Sequence, residues 1–182
     1  MNTANKLTIL RIILIPIFMA LLTASGAGFH IAALVVFILA SLTDAADGYI
    51  ARHYNQVTTF GKFMDPLADK MLTTAAFIIF VSVGRMSPWA LALILMREFA
   101  VSGIRLLAAA NSNVIAASMS GKIKTVSQMV AIIAAIILLN PFFEENSAKL
   151  ITEILIWIST AATVVSGAEY LIKNKNLLMS EE

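Results

Sequence analysis

The chain has no cysteine, only two histidines and little charge: Asp, Glu, Lys and Arg make up 13% of its 182 residues. Without cysteine, thiol nucleophiles, thiolate metal sites, disulfides and redox chemistry are excluded. With His30 and His53 alone, a multi-histidine metal cluster is excluded as well. Low charge argues against disorder and against a coiled coil. The formal net charge of +2 is too small for an electrostatic hold on nucleic acid. Internal repeats, low-complexity tracts and long linkers are also missing, so residues 1–182 read as one domain.

What is present is apolar. Hydrophobic residues are 59% of the chain and the mean hydropathy is +0.87. Soluble domains are about half apolar and carry about twice this share of charge. A helix crossing a bilayer needs about 20 residues, so six spans would use about 120 and leave no room for a soluble domain. Breaks fall at Ser25 to Gly28, Asn55 to Gly61, Gly84 to Pro88, Asn111 to Gly121 and Asn140 to Ser147. They delimit six helices near 4–24, 30–53, 62–83, 88–110, 122–140 and 147–173, and predict an all-α integral membrane protein built as a six-transmembrane-helix bundle. Pro16 is expected to kink the first helix or to split it into an interfacial turn and a span. Arg11 interrupts the first apolar stretch, so it reads as a retained membrane helix and not as a signal peptide.

The basic residues set the expected orientation. With the N-terminus inside, ten of the thirteen lie on or near the cytoplasmic side: Lys6, Arg11, Arg52, Lys62, Lys70, Arg105, Lys122, Lys124, Lys173 and Lys175. Arg85 and Lys149 fall outside, and Arg97 falls mid-span. A multi-pass protein of the cell membrane with both termini cytoplasmic is expected.

The second and third helices are short of clean apolar sequence. Only His30 to Thr43 and Met71 to Val83 are free of charge. Each reaches spanning length by including an acidic pair, Asp44 with Asp47 and Asp65 with Asp69. Three- and four-residue spacing puts each pair on one helix face. Antiparallel helices joined on the cytoplasmic side would bring the pairs to one depth. Four ionised carboxylates there repel one another and are costly to desolvate. Either some are protonated, as in a cation pathway, or divalent cations bind, since Mg²⁺ and Mn²⁺ take hard oxygen ligands.

The run Asp44-Ala-Ala-Asp47-Gly48-Tyr-Ile-Ala51-Arg52, then eight residues, then Gly61-x-x-x-Asp65-x-x-x-Asp69 resembles the signature of the CDP-alcohol phosphotransferases at all eight of its fixed positions. The resemblance implies a six-helix membrane bundle, a homodimer, and transfer of a phosphatidyl group from a CDP-linked lipid to an alcohol. It implies metal-binding roles for Asp44, Asp47 and Asp65. Asp69 matches the aspartate proposed as general base, with a metal-ligand role also open. Two Mg²⁺ or Mn²⁺ ions would neutralise the donor diphosphate. Gly48 and Gly61 would allow close approach to nucleotide or metals, and Arg52 could hold a phosphate. Asn5, Thr8 and Arg11 resemble the N-x-x-T-x-x-R opening of the family, near the nucleotide.

Arg97 and Arg105 are eight apart and could face one groove. Glu98 adjoins Arg97 but points elsewhere on an ideal helix, so spacing alone does not pair them. Gly121-Lys122-Ile-Lys124-Thr125 opens the fifth helix, where backbone N–H groups and two lysines could hold an anion. Together these residues suggest an acceptor that carries phosphate. The two segments resemble the branch of the family that uses glycerol 3-phosphate. That resemblance implies attack on CDP-diacylglycerol within the membrane lipids, giving phosphatidylglycerol phosphate and CMP. Inositol phosphate is the alternative acceptor. A cation or proton transporter is disfavoured by the apolar outer halves, Ala32 to Ala40 and Ala75 to Val83.

Overall fold

A computed structural model describes residues 3–53, 59–110 and 118–175; side chains are described there except at 3, 4, 44–53, 59–63, 65, 66, 109 and 110. The described chain is helical throughout, with α1 at Thr3–Thr23, α2 at Ala27–His53, α3 at Thr59–Ser82, α4 at Pro88–Ala110, α5 at Met119–Leu138 and α6 at Glu145–Lys173. The expected helices are all present, each within a few residues of its expected ends.

The first helix is not divided at Pro16, one of the two outcomes expected there. It runs through Pro16 as one helix and has no separate interfacial turn. Pro16 is exposed, so its ring points away from the packed face, and its missing N–H removes a single backbone bond.

Local chemistry ends the helices. Gly84 takes a φ of +69°, which only glycine adopts freely. The Gly84 N–H then donates to Val81 O at 3.1 Å, and the Arg85 N–H to Phe80 O at 2.8 Å. This is a Schellman closure of α3. Gly26, at φ +124°, makes the turn between α1 and α2. Ser118 caps α5 by accepting the Gly121 N–H at 3.1 Å.

Every helix packs on at least two others: α1 lies against α2 and α3, α5 against α6, and α4 against α6 and α3. Phe18 and Phe37 are fully buried, their ring centroids 5.5 Å apart and tilted by 43°. Phe77, Phe80, Ile132, Ile136 and Ile156 complete that core, with Ala33, Ala40, Ala76 and Ala135 where helices approach closely. Gln128 Nε2 donates to Thr163 Oγ1 at 3.0 Å and ties α5 to α6.

The outer surface is apolar as well. Ile13, Leu39, Met96, Phe99, Leu106 and Val165 are each more than half exposed, an arrangement that suits lipid and not water. Among the described residues, three segments are long and apolar enough to cross a membrane: Asn5–Thr23, Met119–Leu138 and Glu145–Lys173. The described part of α2 adds a shorter apolar helix, Ala27–Thr43. Of the six expected spans, three are thus supported on length and composition among the described residues.

Glu144 caps α6 outside the apolar span. Its carboxylate accepts the Ser147 N–H at 2.8 Å and the Asn146 N–H at 3.1 Å. Hydrogen bonds from Ser147, then from Asn146, hold its carboxyl below the usual value of 4.5. A depressed folded pKa stabilises above the unfolded value and is lost as pH falls through the folded one. Glu144→Ala should therefore lower the thermal midpoint in detergent at pH 7. The gap to the parent should narrow once the pH drops below about 4.5.

Candidate active site

α4 presents Arg97, Glu98, Val101, Ser102 and Arg105 along one side, the spacing of successive helical turns. Asp69 and Lys70 of α3 face them, and Gly121, Lys122, Lys124 and Thr125 close the opening from the start of α5. Together they line a cavity of about 510 Å³. Five lining residues are basic and two are acidic, so the cavity favours an anion.

Glu98 holds the cations in place. Its Oε1 accepts from Lys124 Nζ at 2.5 Å and from Arg97 NH1 at 3.3 Å. The three side chains are only 10–13% exposed, so the charges have largely left water and need one another. The expectation that Glu98 points away from Arg97 is thereby corrected: the long guanidinium arm folds back to reach its neighbour. Arg97 NH2 also donates to Ser166 Oγ of α6 at 2.8 Å. Lys70 Nζ donates to Ser102 Oγ, which donates to the Glu98 carbonyl at 2.6 Å. The Arg105 guanidinium lies 5.6 Å from the centroid of the Tyr170 ring, within cation–π range.

Arg97, Arg105, Lys122 and Lys124 are therefore brought together, and Asp69 stands beside them. Asn5 and Thr8 are buried on α1 with Arg11 and do not line this cavity. Arg11 Nε donates to Ala40 O of α2 at 3.3 Å. That bond and the Phe18–Phe37 contact set an antiparallel register between α1 and α2. Continued toward the N-terminus, it carries Thr8 and Asn5 alongside the stretch of α2 that holds the acidic motif.

The side chains of Asp44, Asp47, Gly48, Arg52, Gly61 and Asp65 lie outside the described residues. Among the described residues, no three His, Cys, Asp or Glu side chains gather around one point. The backbone still places the motif. Asp47 is six residues from the end of α2 and Asp65 six from the start of α3, about 9 Å along each helix. Asp44 and Asp69 are nine and ten residues from the same ends, about 14 and 15 Å. The two pairs sit at matching distances from the connection at 54–58.

Lys70, Ser102 and Thr125 are cavity residues that sequence reasoning did not single out. Lys70 reads as one more cytoplasmic charge, although its place next to Asp69 was a usable signal. Ser102 and Thr125 look like ordinary helix-surface hydroxyls.

Removing Glu98 should leave two cations facing each other with no carboxylate. Glu98→Ala should cost about 1.5–3 kcal/mol in unfolding free energy, the range for a buried hydrogen bond to a charged group. Denaturant unfolding in detergent checks this, and Glu153→Ala, on the half-buried side of α6, should cost less.

Residues 1–165 match the family model for CDP-alcohol phosphatidyltransferase. The chain is 45% identical to the CDP-diacylglycerol–glycerol-3-phosphate 3-phosphatidyltransferase of Bacillus subtilis, over 95% of both chains. It is 37% identical to the protein of the same name from Rickettsia typhi, over 93% of this chain and 94% of that one. A probable phosphatidylglycerophosphate synthase of Mycobacterium tuberculosis is 39% identical over 94% of this chain and 81% of its own length. The acidic motif and the whole-length similarity agree, and the chain belongs to the CDP-alcohol phosphatidyltransferase family.

Proposed function

We propose that the chain transfers the phosphatidyl group of CDP-diacylglycerol to glycerol 3-phosphate, giving phosphatidylglycerol phosphate and CMP. The names of its relatives support this reading. The observation that carries it is the cationic cavity beside Asp69. A phosphate-bearing acceptor would meet Arg97, Arg105, Lys122 and Lys124, with its free hydroxyl turned toward Asp69. Arginine suits that task because its planar fork matches phosphate oxygens.

In the reaction, the Asp69 carboxylate takes the proton of the acceptor's primary hydroxyl. The hydroxyl oxygen bonds to the β-phosphorus of the donor. The bond from that phosphorus to the bridging oxygen breaks, and CMP leaves with the electron pair. Held acceptor and donor need no further encounter, which removes an entropic part of the barrier.

The donor set fits divalent metal. Asp44 and Asp47 are three apart on α2, Asp65 and Asp69 four apart on α3, and the helical backbone through both stretches keeps each pair one turn apart. These four carboxylates would hold two ions, Mg²⁺ or Mn²⁺, which would neutralise charge on the donor diphosphate. Asn5, Thr8, Gly48, Arg52 and Gly61 would surround the nucleotide end of the donor. The family motif and the register of α1 on α2 support that assignment.

The membrane setting belongs to the same proposal. With six spans, the acidic ends of α2 and α3 would lie at the cytoplasmic headgroup level, where the donor's diphosphate lies while its acyl chains stay in the bilayer. Both termini are cytoplasmic, and the protein works as a homodimer.

The test is CMP release by the purified protein supplied with CDP-diacylglycerol, Mg²⁺ or Mn²⁺, and one acceptor at a time. Release with glycerol 3-phosphate and its loss on metal chelation are expected. Asp69→Asn should reduce turnover by about 10²- to 10⁴-fold, the usual contribution of a positioned base. Near-normal turnover in that variant would remove the base role. Release with inositol phosphate alone would keep the chemistry and change the acceptor. No release with any alcohol, from folded protein, would favour cation transport through the carboxylates.

A further inference from the structure

The cavity's two α4 arginines are held from behind by a helix that does not line it. Ser166, Gly167 and Tyr170 of α6 are buried and share one helix face at positions i, i+1 and i+4. None of the three lines the cavity, yet each meets an arginine that does. Ser166 Oγ accepts from Arg97 NH2 at 2.8 Å. The stem of Arg97 crosses the bare backbone of Gly167: a Cβ there would stand 2.6 Å from Arg97 Cγ and 3.7 Å from its Cβ and Cδ. The Tyr170 ring lies under Arg105, 5.6 Å from centroid to guanidinium. Among the described residues its buried hydroxyl has no hydrogen-bond partner, and Tyr170 meets Arg105 through its ring.

We propose that Gly167 and Tyr170 are positioning residues for acceptor recognition, setting the rotamers of Arg97 and Arg105 so that both guanidinium groups meet one phosphate. The inference rests on the reading of the cavity as the acceptor site. Glycine is required because the close approach involves the middle of the arginine stem. An alanine methyl would push that stem into another rotamer. The guanidinium would then give up its bond to Ser166 or to Glu98, and with it the alignment toward the cavity. A flat ring beneath Arg105 restricts the second guanidinium in a similar way. Donor binding, which the motif assigns to α1, α2 and α3, should be untouched.

The experiment measures steady-state CMP release by the full-length protein, with separate KM values for glycerol 3-phosphate and CDP-diacylglycerol. Gly167→Ala should raise the acceptor KM about tenfold or more, the scale of a misplaced binding group, while the donor KM stays within about twofold. In an Arg97→Ala background the same substitution should add less than about twofold, because residues that act through one another are not additive. Tyr170→Leu should raise the acceptor KM about threefold through loss of the cation–π contact, and Tyr170→Phe should restore it. Where Gly167→Ala is not recovered folded, the leucine and phenylalanine pair carries the test.

An unchanged acceptor KM in Gly167→Ala overturns the inference. So does an equal rise in both KM values, a full tenfold effect that persists without Arg97, or equal damage from leucine and phenylalanine at 170. Arg97→Ala separates the two levels. If it raises the acceptor KM and Gly167→Ala does not, the positioning role alone fails. If Arg97→Ala leaves the acceptor KM unchanged, the acceptor-site reading fails with it.

Discussion

One carboxylate, Glu98, organises the polar end of this bundle. It bridges Arg97 and Lys124 in a chain whose remaining surface and core are mostly apolar. Charges largely removed from water are costly alone, and a shared counter-charge is what allows two cations to stay there. Three helices are tied through that group: α4 supplies Arg97 and Glu98, α5 supplies Lys124, and α6 receives Arg97 at Ser166. Lys70 of α3 joins through Ser102, whose hydroxyl donates to the backbone of Glu98. The network leaves a net excess of cations around the cavity, which is what an anionic acceptor needs.

That arrangement also reconciles two demands on the sequence. The lipid-facing sides must be apolar, as Met96, Phe99 and Leu106 are on α4. On the proposed reading, the same helix also carries Arg97 and Arg105 to the acceptor. Helical periodicity separates the two sets onto different faces.

Much of this was legible in the sequence. Six helices and their limits follow from glycine, proline and asparagine breaks. The acidic motif follows from eight fixed residues, Arg97 and Arg105 from their eight-residue spacing, and Lys122 and Lys124 from their place at the start of the fifth helix. Three features were not legible. Spacing put Glu98 away from Arg97, because ideal helix geometry describes Cβ directions and not the reach of a flexible guanidinium. Pro16 left a kink and a division both open, and the helix is not divided because Pro16 sits on an exposed face where one missing hydrogen bond is tolerated. Gly167 and Tyr170 gave no signal, since their importance lies in contacts with a helix some seventy residues away in the chain, as Arg97 with Ser166 shows.

The central claim is that the cavity recognises phosphate on the acceptor. Calorimetric titration of glycerol 3-phosphate and of glycerol into the purified protein tests it most directly. The account predicts binding of glycerol 3-phosphate that weakens as salt rises, no measurable binding of glycerol, and loss of the first in Arg105→Ala. Equal binding of the two alcohols, or glycerol 3-phosphate binding indifferent to salt and to Arg105, would contradict it.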